Sequence, residues 1–125
     1  GALLTRDRAV DLIESGLVDN ARVRGEQAVA GLRPLMSRHP KLVRDVRGRG
    51  LMLGIEFDTP DHADAVQWAC FQRGLLVLEC GRSSVRMSPA LTVSEAEMAT
   101  ALRIFGEAVA EVSASGSDVP GEANG

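Results

Sequence analysis

The chain has 125 residues, 45% of them hydrophobic and 25% charged, with a formal net charge of -3. That composition fits one ordinary globular domain with a modest core, and 125 residues are too few for two. The mild acidity argues against nucleic acid or an anionic membrane as partner, no apolar run approaches the ~20 residues of a membrane span, and no signal peptide is visible. Cys70 and Cys80 match neither a disulfide framework nor a zinc spacing, and His39 and His62 add no metal-ligand pattern. Reduced thiols in a cytoplasmic protein without a metal are therefore expected. The first residue is Gly1 rather than Met and the opening residues already read as helix, so the chain is expected to be a piece of something longer.

In chain order, Thr5 to Glu14 reads as a helical segment stopped at Ser15-Gly16. A second helix follows from about Leu17 to His39. Ala21, Gly25, Ala28, Leu32, Leu35 and Met36 recur on it at three- and four-residue steps, with a kink expected at Pro34. His39-Pro40-Lys41 breaks this helix. Leu42 to Arg47 and Leu51 to Phe57 then form a β-hairpin around Gly48-Arg49-Gly50, the second strand alternating strictly between apolar and other residues. Asp61 is expected to cap a third helix that runs to about Arg73 with Ala63, Val66, Ala69 and Cys70 inward, and Gly74 to stop it. Leu75 to Glu79 and Ser84 to Met87 are short strands. The last helix opens on a capping box, Ser94 with Glu97, and buries Met98, Ala101, Leu102, Phe105, Val109 and Val112.

Residues 113–125 hold little that can be buried and are expected to be disordered, leaving one domain over residues 1–112. The expected fold is α+β: a small, mainly antiparallel sheet of about four strands with helices on one face. Its other face would be open, as half of an interface.

Arg86 stands out on that open face. If Val85 and Met87 point into the core, alternation sends Arg86 the other way. A guanidinium stays charged and offers a planar fork that matches a carboxylate, so Arg86 is a candidate clamp for an acid substrate. A solvated edge-strand arginine is the ordinary alternative. Arg47 and Arg49, flanking the hairpin glycines, are weaker candidates for contacting an anion or another domain. Glu79 and Cys80 read as structural or cleft-lining, Ser83 and Ser84 lack a neighbouring His or acid, and Trp68 is a possible docking residue.

Two segments carry a family resemblance. The hairpin Val43 to Phe57 (VRDVRGRGLMLGIEF) is one. The other is Gly74 to Gly81 (GLLVLECG), followed after a short gap by Val85 to Thr92 (VRMSPALT). Together, in order and at this spacing, they resemble the C-terminal small domain of class III aminotransferases, fold-type I enzymes that use pyridoxal 5'-phosphate. The resemblance covers residues 1 to about 112, with residues 1–15 as part of the inter-domain helix, and the Cys80-Gly81 pair looks most like the 4-aminobutyrate aminotransferase branch. Ala90, where the family usually has a second proline, and Pro34 within the helix are departures.

The resemblance implies a homodimeric enzyme that moves an amino group from an amine or amino acid, such as 4-aminobutyrate, to a 2-oxo acid such as 2-oxoglutarate. Pyridoxal phosphate and its Schiff-base lysine would belong to a large domain upstream, and Arg86 would bind the substrate carboxylate. Lys41, the only lysine, sits in a loop and reads as solvated, so the chain alone is expected to be inactive. A stand-alone α+β module that binds a ligand or protein without catalysis is the alternative from another class, and an aminomutase would keep the fold and change the reaction.

Overall fold

Apolar residues at helical spacing build the first element, α1 (Arg6–Leu32), of the computed structural model, which describes residues 6–116. The helix runs straight through Ser15-Gly16, where the sequence suggests a stop. A single interior glycine costs a helix only about 1 kcal/mol against alanine, too little to break one of this length. The true break comes at Arg33, ahead of the short α2 (Pro34–Arg38). Pro34 has no N–H to donate and occupies the first turn of the new helix, where none is needed. Ala28, Leu32 and Leu35 are fully or almost fully buried, as the stripe predicts, with Ala21 and Met36 packed beside them.

The hairpin pairs β1 (Val43–Arg49) with β2 (Met52–Phe57), Arg49 opposite Met52, so the turn is Gly50-Leu51 rather than Gly48-Arg49-Gly50. Gly50 has φ +57, which a two-residue hairpin turn with glycine first requires. Gly48 is instead a strand residue whose missing side chain makes room for Val29 of α1. A register shift between Val43 and Asp45 puts a bulge near the start of β1.

The cap of α3 (Pro60–Gln72) is Thr59, not Asp61: the Thr59 hydroxyl accepts from the His62 N–H at 3.1 Å, and Asp61 lies in the first turn. Ala63, Val66, Ala69 and Cys70 face inward as expected. Gly74, at φ +87, ends the segment. The next strand is shorter and later than the apolar run suggests. Leu75 donates its N–H to the Cys70 carbonyl of α3, and β3 is only Leu78–Cys80, pairing with Arg86, Val85 and Ser84 of β4 (Ser84–Met87). The last helix, α4 (Glu95–Gly116), starts on the predicted box: Glu97 N–H to Ser94 Oγ at 3.0 Å and Ser94 N–H to Glu97 Oε1 at 2.9 Å. The Ser94 N–H, and after it the Ser94 side chain, hold the Glu97 carboxyl below its usual range. The helix runs on through 113–116, further than the shift in composition suggests; residues 117–125 of the expected tail lie outside the described residues.

The four strands form one antiparallel sheet in the order β1-β2-β4-β3. The long helices α1 and α3 lie on one face and α4 packs across both, with Phe105 of α4 reaching Phe57 of β2 at 6.5 Å between rings. Leu53, Ile55, Phe57, Val85 and Met87 point into that core. Among the described residues no polar or charged residue is buried. No described helix is long and apolar enough to cross a membrane.

Candidate functional site: the uncovered face of the sheet

Side chains alternate along each strand, so the residues between the core positions share the outer face. Register places Arg47 of β1, Gly54 of β2, Arg86 of β4 and Leu78 of β3 in one cross-strand row. Asp45, Glu56, Ser84 and Cys80 make the adjacent row. Arg47, Gly54 and Arg86 of the first row and Glu56, Ser84 and Cys80 of the second line a shallow depression of about 390 Å³. Val85 and Met87 are buried and Arg86 between them is exposed, as alternation requires.

The two arginines of the row differ electrostatically. Arg47 is held on both sides, by Asp45 at 2.9 Å and Glu56 at 3.3 Å. The Arg86 guanidinium has no hydrogen-bond or ion-pair partner among the described residues. Arg49, exposed at the end of β1, is two residues further along the same depression. An unpaired guanidinium in a concave, partly apolar surface is suited to accept a carboxylate through two parallel hydrogen bonds. Arg47 has already spent its charge within the chain.

The remaining candidates sit elsewhere. Glu79 pairs in register with Val85 and so belongs to the helix side of the sheet. There a hydrogen bond with Asp64 of α3 raises its carboxyl above the usual range, with burial and the Asp64 charge adding to it. Cys80 lines the depression as a free thiol, while Cys70 is buried on the inner side of α3 and burial pushes its thiol up to about 12. Neither the Ser83 nor the Ser84 hydroxyl bonds to a histidine or carboxylate among the described residues. Trp68, on the outer side of α3, is exposed and makes an edge contact with Phe71, ring centroids 5.9 Å apart. Gly54 has no role in the sequence reading, although a glycine amid an alternating strand is itself a signal.

A larger groove of about 750 Å³ runs between α1 and the hairpin tip. Its lining is largely small and apolar, with Arg22 paired to Glu26 at 3.2 Å and Arg33 as its other cation, whereas the smaller depression gathers Arg47, Arg49 and Arg86 and is the better site for an anion. Lys41 is exposed in the turn before β1, with no desolvating surroundings. The described residues do not provide a buried lysine around which pyridoxal phosphate could be held covalently.

Comparisons with known proteins identify the family. The class III aminotransferase family model matches residues 7–109. An acetylornithine aminotransferase from Gloeobacter violaceus is 47% identical over 89 residues, 71% of this chain and 22% of that protein. An L-lysine-epsilon aminotransferase from Streptomyces clavuligerus is 33% identical over 120 residues, 92% of this chain and 26% of that protein. Among solved structures, a lysine aminotransferase from M. tuberculosis superposes with a TM-score of 0.76 at 36% identity, covering 84% of this chain and 24% of that one. The chain thus spans about a quarter of the length of the relatives it matches. On the match across residues 7–109 and these relatives, the chain belongs to the class III aminotransferases, a family whose members depend on pyridoxal 5'-phosphate.

Proposed function

We propose that this chain, over residues 1 to about 112, is the small domain of a class III transaminase, and that Arg86 holds the carboxylate of the 2-oxo acid acceptor, 2-oxoglutarate or a close analogue. The observation that carries the proposal is the unpaired Arg86 guanidinium standing in a depression on the uncovered side of the sheet. In a partly dry cleft a bidentate arginine–carboxylate contact is worth more than a surface ion pair, and its fixed geometry orients the carbon next to that carboxylate. Bound to the larger part of the enzyme, pyridoxal phosphate would supply the electron sink for moving the amino group. This chain's share is to position the acid.

The uncovered face is where the large domain of the same polypeptide would form the other wall of the cleft, within a homodimer. The free thiols of Cys70 and Cys80 support a cytoplasmic setting. For the donor, the Cys80-Gly81 pair suggests 4-aminobutyrate, whereas the relatives above are named for acetylornithine and lysine. Those three compounds share a primary amine at the end of an amino-acid carbon chain, and that is the donor class we assign. The exposed position of Lys41 supports an inactive isolated chain.

The test is Arg86→Lys in the full-length enzyme. The charge survives and the fork is lost, so one charge-assisted hydrogen bond disappears, worth about 10- to 100-fold in affinity. The KM for 2-oxoglutarate should rise by that factor while the half-reaction with the amine donor stays within a few-fold. Unchanged kinetics with both substrates would remove Arg86 from the role, and turnover by the isolated 125-residue chain with added cofactor would refute its dependence on a larger partner.

A further inference from the structure

Most glycines of the hairpin and its helix have a visible reason to be glycine. A Cβ on Gly25 would overlap the Gly50 carbonyl, a Cβ on Gly48 would overlap Val29, and Gly50 adopts a positive φ. Gly54 has neither reason. Its φ is not positive, and a Cβ built on it meets no atom within 4 Å. The helical glycines Gly16 and Gly106 also face open space, but neither borders the charged row. Gly54 sits in the middle of β2, where glycine weakens a strand through lost side-chain packing and added chain freedom. Nothing in the fold of this chain compensates for that.

What surrounds the vacant position is informative. Gly54 lies opposite Arg47 on one side and Arg86 on the other, two strand spacings that put those arginines roughly 10 Å apart across it. Arg47 is closed off by Asp45 and Glu56, and Arg86 is open. The gap left by the missing side chain is the floor of the depression directly beside Arg86. A strand glycine without an internal reason often marks a place where something from outside approaches the backbone closely.

We infer that Gly54 is a specificity-determining residue: its bare backbone is the floor on which the acceptor's carboxylate lies while Arg86 grips it from the side. Any side chain at 54 would stand in the space the carboxylate fills and would hold the acid away from the guanidinium. The effect should be graded by size, Ala before Val, and confined to ligands that carry the Arg86-bound carboxylate. The inference rests on the reading of Arg86 given above, and the experiment separates the two.

Full-length holoenzyme is compared as parent, Gly54→Ala, Gly54→Val and Arg86→Ala, with glutarate as an unreactive dicarboxylate probe. The readouts are the glutarate Kd by calorimetry, the Tm, and the rates of the two half-reactions. Gly54→Ala should weaken glutarate about 10-fold and Gly54→Val about 100-fold or more, with Tm equal to or above the parent's and the donor half-reaction within about threefold. If Arg86→Ala abolishes glutarate binding while Gly54→Val leaves Kd within twofold, the Gly54 inference is wrong and the Arg86 reading stands. If Arg86→Ala itself leaves Kd unchanged, the Arg86 reading fails, and this inference with it. A third result would also overturn the inference: both half-reactions and Tm falling together in Gly54→Ala. That would mean a neighbouring segment, not the acid, packs against the strand.

Discussion

The two faces of the sheet follow different rules. On one, Leu53, Ile55, Phe57, Val85 and Met87 are closed over by α1, α3 and α4, with no polar residue buried among the described residues. On the other, the same strands carry Met52, Gly54, Leu78 and Arg86, with no layer of the described residues above them. The covered face is explained by the chain's own packing. The open face contains choices, an unpaired cation and a bare glycine among them, that the chain's own stability does not require. Residues that cost stability without an internal return point outward, to a ligand or a neighbouring domain.

That contrast can be broken by mutation. The largest stability effect belongs to the covered face: Phe105→Ala removes a fully buried ring that meets Phe57, and urea or thermal unfolding should show a loss of about 3–5 kcal/mol. Next comes the seam between α1 and the hairpin tip. Gly25→Ala forces a methyl group against the Gly50 carbonyl and should cost roughly 1–3 kcal/mol in the same measurement, since backbone on both sides must move. On the open face, Leu78→Ala removes a half-exposed side chain and should change stability by less than about 0.5 kcal/mol. A large loss there in the isolated chain would mean that the outer face carries structural load.

The smallest effect tests the rim between the faces. Glu79 shares a hydrogen bond with Asp64 that raises its carboxyl above the usual range. A raised carboxyl means the fold favours the protonated form, so its contribution is complete below the ordinary glutamate range and is lost as pH rises through the folded value. Asp64→Asn relieves the like-charge contact, so it should raise Tm slightly at neutral pH and lose that advantage in acid. A pH-independent difference between parent and variant would discount the pair.

Much of the architecture was legible because apolar periodicity is written by burial. The stripe through Ala28 and Leu32, the alternation through Leu53, Ile55 and Phe57, and the Ser94–Glu97 box all appear where their patterns point. The misplacements have local causes. Ser15-Gly16 reads as a stop only if one glycine outweighs the helical turns on both sides of it. Leu75 to Val77 has strand composition, but Leu75 is bonded back to Cys70 of α3 and pairing with β4 begins only at Leu78. Thr59 outcompetes Asp61 as cap because Pro60 fixes the first turn behind it. At the site, alternation alone placed Arg86 outward. What alternation could not reveal is that Arg86, not Arg47, is the free arginine of their row, because the Asp45–Arg47–Glu56 cluster is assembled across two strands by a bulged register. The emptiness around Gly54 likewise exists only once its neighbours are placed.

The bulge near the start of β1 has a consequence for how molecules of this protein meet in solution. A sheet ends in two unsatisfied rows of backbone groups, each a template on which a foreign strand can grow. Here one margin is β3, only three residues long, and the other is β1, bent between Val43 and Asp45 and bearing Arg44, Arg47 and Arg49. Neither gives an incoming strand a long, flat, uncharged ladder, so fibre-like stacking through the margins is disfavoured even while a broad face of the same sheet stays open to a specific partner.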